Sequence, residues 1–209
     1  MKIEIFSDVV CPWCYIGKKR LDMVLSSSVG EGVDVRWRPY QLYPRMPVEG
    51  LDRAAFLEAS YGDRADRSKI PERIRIEAED VGLDLDFGAI EKMPNTLQAH
   101  RLLSYAESTG TQHELAEVLF EYYFCEGKDV GDVEVLVDAG ESVGMDASRV
   151  RTYLRSEADV ESLREQFARA TELGVSGVPY YLLAGRFGIP GAQTPDVIGQ
   201  FIERAKERL

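Results

Sequence analysis

The sequence predicts an α/β protein in which a long helical insertion interrupts a small sheet. Three observations carry that prediction. Strand-like alternation occurs only near the two ends of the 209-residue chain. Between them lies a stretch, from about Asp52 to Arg155, with apolar residues at helical spacing and no convincing strand. A Cys-x-x-Cys pair, Cys11 and Cys14, stands where the first strand gives way to the first helix. The length suits one domain carrying an insertion, and 44% hydrophobic residues suffice for a sizeable core.

The elements follow in order. Lys2 to Asp8 alternates, with Ile3 and Ile5 on one face and Glu4 and Phe6 on the other, and reads as a strand. A helix runs from about Pro12 to Ser28, with Trp13, Gly17, Leu21, Val24 and Leu25 on one face. Val33 to Trp37 alternates again, and Pro39, Pro44 and Pro47 then mark a bend and loop. Helical segments begin behind Asp52, run up to Gly82, and place Ala99, Leu102, Leu103 and Ala106 on a shared face. Thr111 with Glu114, and Ser156 with Asp159, have capping-box spacing. Shorter helices start behind Asp132 and Asp146, and Gly174 stands past the end of a long one. Strand signals return as a pair around Gly185, and a last helix has Thr194 as cap and Pro195 at its first position. There is no internal repeat. Without the helical block the order is β-α-β…α-β-β-α, and a Cys-x-x-Cys at the first strand-to-helix turn of such a unit suits a thioredoxin-like redox motif.

Charge and cysteine content narrow the function. A net charge of −11 argues against a nucleic-acid binder, which needs a basic face, and against docking on an anionic membrane. No apolar segment approaches the roughly 18 residues of a membrane span. Glu4 and Asp8 interrupt what would be the apolar core of a signal peptide, so the expected location is the cytoplasm. Three cysteines are too few for a disulfide scaffold. In a reducing compartment the pair is a catalytic or metal-binding device rather than a staple.

The chemistry favours a dithiol. Cys11 at a helix start faces unpaired backbone N–H groups and the positive dipole end, which favour a thiolate nucleophile. Pro12 suits the first helical position, where its missing N–H costs nothing. Cys14, one turn in, can reach back to resolve a mixed disulfide, so Cys11 is expected exposed and Cys14 buried. The alternative is half of a zinc site. A structural zinc needs four ligands, and only Cys125, His100 and His113 remain, on two predicted helices and with no second paired motif. Cys125, near a helix C-terminus, reads as a packed residue, and His113 as a solvated one. Pro179, after Gly177 and Val178, opens a buried strand. It is either an ordinary trans proline at a strand start or a cis proline beside the dithiol.

The segments "FSDVVCPWCYIG", "NTLQAHRLL" and "GVSGVPYYLL…GRFGIPGAQTPD" resemble the DsbA branch of the thioredoxin superfamily, especially its cytoplasmic FrnE-like group. More distantly they resemble kappa-class glutathione transferases and 2-hydroxychromene-2-carboxylate isomerases. The resemblance spans essentially the whole chain. It implies a thioredoxin-like fold with an inserted all-helical subdomain: 1–48 and 156–209 form the thioredoxin-like part, and 49–155 the insertion. It also implies a cis Pro179 facing Cys11 and Cys14, and a substrate groove between the subdomains. Pro12, Trp13 and Val178 are expected to contact substrate. Asn95 and His100 are candidates to line the groove above Cys11, the alternative being a capping Asn and a packed His. No metal or other cofactor is implied beyond the redox-active cysteine pair, with glutathione as a possible co-substrate. The partner is a thiol or disulfide, protein or small molecule.

Three departures qualify the resemblance. Pro12-Trp13 stands where periplasmic DsbA proteins have Pro-His, so a strongly oxidising potential does not carry over. Ile5 occupies the place of a buried acid common in thioredoxin-like enzymes. Cys11 stands where the isomerase and transferase relatives usually have serine, which favours dithiol chemistry. Two rival functions stay in view: a glutathione-dependent isomerase or transferase on the same fold, and a non-catalytic helical binding module with a vestigial or zinc-bound cysteine pair.

Overall fold

A computed structural model describes residues 1–62, 66 and 68–209. The first strand, β1 (Lys2–Ser7), leads through the Cys-x-x-Cys turn into α1 (Pro12–Leu25). β2 (Asp34–Pro39) follows, then the helical block. That block comprises α2 (Arg53–Tyr61), α3 (Glu72–Asp80), α4 (Leu97–Thr109), α5 (Gln112–Phe124), α6 (Val133–Ser142) and α7 (Ala147–Leu154). It also holds two very short strands, β3 (Leu51–Asp52) and β4 (Lys92–Met93). α8 (Val160–Glu172) returns the chain to the sheet, and β5 (Tyr180–Leu183), β6 (Phe187–Pro190) and α9 (Pro195–Lys206) complete it.

The main sheet has the order β2-β1-β5-β6. β1 pairs parallel with β2 and antiparallel with β5, which sets Ile5 opposite Trp37 on one side and Tyr181 on the other. The alternation in β1 sorts its two faces. Ile3 and Ile5 enter the main core with α1, whereas Phe6 packs with Ala170, Val175 and Leu182 on the opposite face. β2 is an edge strand, and the side chain of Gln112 covers part of it. Gln112 Oε1 accepts from the Trp37 N–H at 2.9 Å while Nε2 donates to the Trp37 carbonyl at 3.2 Å. The helical block thus satisfies backbone groups that an open edge would expose.

α1 is more enclosed than a single apolar face predicts. Its contacts include α3, α5 and α9, and even Lys18 and Arg20 are buried. Lys18 Nζ lies 2.6 Å from Asp22 and 2.7 Å from Glu117. Arg20 pairs with Glu77 and donates to the Ala192 carbonyl. Burying these cations is tolerable because each is paired. Trp13 and Leu25, expected on the buried stripe, are only partly covered.

Four sequence expectations fail locally, one of them at α9, where Thr194 stands at the N-cap but its side chain holds no N–H. The insertion is not strandless, because β3 and β4 pair antiparallel, Leu51 opposite Met93. Two residues per strand are too few for alternation to show. Thr111 precedes α5 but its side chain caps no N–H. Its hydroxyl meets Thr109 Oγ1 at 2.8 Å instead. Ser156 does not cap α8 either: the helix starts later, behind Asp159 in the left-handed region at φ 60°. The caps at Asp52, Asp132 and Asp146 form as expected. Among the described residues, no helix is long and apolar enough to cross a membrane.

Candidate active site

Cys11 is the N-cap of α1, with Pro12 at the first helical position and no side chain capping this end. Its N–H is held by the Asp8 carbonyl at 3.0 Å, and its own carbonyl accepts from the Cys14 N–H at 3.0 Å. These bonds place Cys14 one turn in, behind Cys11. All three cysteines are free thiols. Cys14 is 1% exposed and Cys11 4%, so the expected exposed nucleophile is in fact covered. The Cys11 thiol donates to the Val178 carbonyl at 3.7 Å, so the loop before β5 lies over it. The Val178–Pro179 peptide is cis. Pro179 is buried and packs toward α1, where a Cβ on Gly17 would come within 3.1 Å of its Cγ.

Burial pushes the Cys14 thiol well up from its ordinary pKa. The hydrogen bond with Cys11 and the Cys11 charge add to this, while Ser7 and the Asp8 backbone oppose it. Burial likewise raises Cys125, helped by the charges of Glu121, Asp84, Glu117 and Glu126. Cys125 closes α5 as its C-cap.

The other predicted site residues divide. Pro12 joins Val10, Tyr43, Phe56, Ile90 and Tyr123 in lining a groove of about 710 Å³ beside the Cys11 turn. Trp13 is half-buried under the Arg73 guanidinium, 5.1 Å from its ring centre. Asn95 and His100 do not line that groove. Asn95 Nδ2 donates to the Met46 carbonyl at 2.7 Å and Oδ1 accepts from the Leu97 N–H at 3.0 Å, so the amide locks the turn into α4. His100 is buried against Phe167, with ring centres 5.7 Å apart, and its Nε2 lies 3.3 Å from Asp8 Oδ1. His113 is not simply solvated: its Nε2 meets Asp22 Oδ1 at 2.7 Å and its Nδ1 accepts from Trp37 Nε1 at 3.2 Å. Among the described residues, no three His, Cys, Asp or Glu side chains converge as metal ligands.

Asp8 is the residue that sequence reasoning missed. It is 1% exposed, and its Oδ2 accepts from the Leu42 N–H at 2.8 Å while Oδ1 faces His100. It ties the turn before Cys11 to the loop after β2 and to α4. The available signal was an acid placed three residues before Cys11, directly behind an apolar strand.

A four-stranded sheet with a Cys-x-x-Cys at the first helix start, a cis proline in the strand-entry loop over it and an inserted helical block defines a thioredoxin-like fold with a helical insertion. The chain belongs to the DSBA-like thioredoxin domain family, whose model matches residues 2–203. Its structure is similar to that of a probable DsbA oxidoreductase from Streptomyces coelicolor. The two share 28% identity with a TM-score of 0.85, over 100% of this chain and 91% of that one. An uncharacterized protein of Bacillus subtilis (strain 168), YwbO, is 27% identical over 99% of this chain and 98% of its own. The fold also matches the cytosolic disulfide reductase DsbM from Pseudomonas aeruginosa, solved with GSH, at 18% identity and a TM-score of 0.72, covering both chains completely.

Proposed function

We propose that this protein is a cytoplasmic thiol–disulfide oxidoreductase working through its Cys-Pro-Trp-Cys dithiol. One observation carries the reading: Cys11 stands at the helix start against the Val178 carbonyl and cis Pro179, with Cys14 directly behind it. In this reading Cys11 attacks a substrate disulfide, and Cys14 attacks the resulting mixed disulfide to release the substrate thiol. Pro179 and Val178 present backbone to an extended substrate. The groove past Pro12, walled by Tyr43, Phe56 and Tyr123, receives an apolar flank of that substrate. The thioredoxin-like part comprises 1–48 and 156–209, and the insertion 49–155 covers the dithiol. Glutathione is kept as a co-substrate, in line with the GSH found with DsbM. The cytoplasm is assigned from the sparse cysteines, in line with the cytosolic DsbM.

The test is a pair of variants. Cys11→Ser is expected to abolish turnover of a model disulfide. Cys14→Ser is expected to accumulate covalent mixed disulfides, seen by mass spectrometry, because attack survives and resolution does not. If Cys14→Ser turned over the disulfide at the full wild-type rate, the dithiol mechanism would be wrong. A single-thiol, glutathione-dependent reaction would then take its place.

A further inference from the structure

We propose that the hydroxyls of Ser7 and Tyr181 are positioning groups for Cys14, donating hydrogen bonds to its sulfur as it becomes the attacking thiolate. The inference rests on the dithiol reading above and extends it to the resolving step.

The backbone places the three groups together. Ile5 and Tyr181 are register partners across β1 and β5, so their side chains leave the same face of the sheet. Ser7 is two residues beyond Ile5 and shares that face. This is the face on which α1 packs, with Cys14 in its first turn. Tyr181 Oη reaches into α1 at Gly17, three residues past Cys14; a Cβ there would lie 2.3 Å from it. Glycine inside the helix is what admits the phenol at this depth.

Both hydroxyls are enclosed, Ser7 at 5% and Tyr181 at 1% exposure. Among the described residues, Ser7 Oγ and Tyr181 Oη are two of four buried side-chain N or O atoms without a well-formed hydrogen bond. A buried hydroxyl left so is costly unless some state of the protein uses it. Both lie within the influence of Cys14, and Tyr181 also within that of Arg20 and Cys11. The Ser7 hydroxyl favours the Cys14 thiolate against the burial that opposes it. Burial, and next the charge on Cys14, push the Tyr181 phenol up, so it stays a donor. Ile5 provides no carboxylate at this turn of the strand, and the hydroxyls join the Asp8 backbone as groups that can meet the negative sulfur.

The step balances simply. Cys14 loses its proton and attacks the Cys11 sulfur of the mixed disulfide. The Cys11–Cys14 bond forms, the bond from Cys11 to the substrate sulfur breaks, and the departing thiolate ends with the proton. The two thiols are oxidised by two electrons and the substrate disulfide is reduced to two thiols.

The experiment is stopped-flow reaction of the fully reduced protein with 5,5′-dithiobis(2-nitrobenzoate), with Cys125→Ser in the wild-type reference and in every variant so that Cys11 and Cys14 are the only thiols. The first thionitrobenzoate released reports attack by Cys11, and the second reports resolution by Cys14. Ser7→Ala and Tyr181→Phe should each leave the first phase unchanged. Each should slow the second phase about tenfold at neutral pH and move its pH midpoint up by about one unit, the size of a lost hydrogen bond to a charged group. Ser7→Thr, which keeps a hydroxyl, should restore the wild-type profile. An intact first phase shows that the variants are folded. Second-phase pH profiles superimposing on wild type in both variants would overturn the proposal while leaving the dithiol reading standing. A wild type that released no second thionitrobenzoate would instead bring down the dithiol reading and this proposal with it.

Discussion

Asp8 and His100 enclose each other at a depth where neither is tolerated alone. A carboxylate 1% exposed needs donors, and Asp8 has the Leu42 N–H at 2.8 Å and the His100 ring at 3.3 Å. Removing either partner leaves the other's facing atom, Asp8 Oδ1 or His100 Nε2, unsatisfied, whereas removing both leaves only the Leu42 N–H without its acceptor. Asp8→Ala, His100→Ala and the double variant should therefore be non-additive in denaturant unfolding. The expected coupling is at least about 1 kcal/mol, typical of residues sharing a buried hydrogen bond. Additive losses would mean that the contact contributes packing only. In the sequence, Asp8 reads as one polar residue in a turn and His100 as a groove candidate, because the sequence carries no record that the turn after β1 meets α4.

At the scale of elements, side chains hold the first N–H groups of α2, α6 and α7, and only some of the expected caps form. Asp132 Oδ1 accepts from the Glu134 and Val135 N–H groups at 2.8 and 3.1 Å. Thr111 has the right spacing but turns its hydroxyl to Thr109. Asp132→Ala should cost about 1 kcal/mol in chemical denaturation, the usual loss for an N-cap. Thr111→Ala should cost clearly less, and equal losses would show that the Thr111 hydroxyl contributes to α5 after all. A second device joins the elements. Arg101, 1% exposed, donates to the carbonyls of Tyr153, Leu154 and Ala158, pinning α4 to the end of α7 and the link into α8. The Tyr153 and Leu154 carbonyls lie at a helix C-terminus, where the backbone otherwise leaves acceptors unpaired. A guanidinium, with five donors in a fixed fork, can serve several of them at once.

Across the whole molecule, buried phenols and a buried thiol set the alkaline limit. Burial is the first cause of the raised pKa in Tyr15, Tyr123 and Tyr181, and in Cys14. In the unfolded chain thiols release protons near 8.5 and phenols near 10. Below those values both states hold the protons and the groups impose no penalty. Above them the unfolded state has released protons that the folded state retains, so stability falls as pH rises. The unfolding midpoint in denaturant should decline above about pH 9 and steeply above about pH 10. The phenolate absorbance of Tyr15, Tyr123 and Tyr181, read as the difference from their Phe variants, should rise together with loss of the fold rather than before it. A midpoint flat through that range would mean that these groups titrate in place.

The sequence by itself determined the order of elements, the helical character of the insertion, the Cys11–Cys14 turn and the caps at Asp52, Asp132 and Asp146. Each of these rests on periodicity or on neighbours a few residues apart, which is information the chain carries locally. It also marked Pro179 as a residue to look for beside the dithiol. Tertiary structure alone decided that Cys11 lies covered beneath Val178, that Asn95 and His100 serve the framework instead of the groove, and that Asp8 is buried. It alone set Lys18 and Arg20 inside α1's surroundings, and Ser7 and Tyr181 around Cys14. The physical reason is common to all of these. Burial and hydrogen-bond partnership are properties of pairs of elements, and the partners stand between 34 and 172 positions apart in the chain for Asp8 with Leu42 and Arg20 with Ala192.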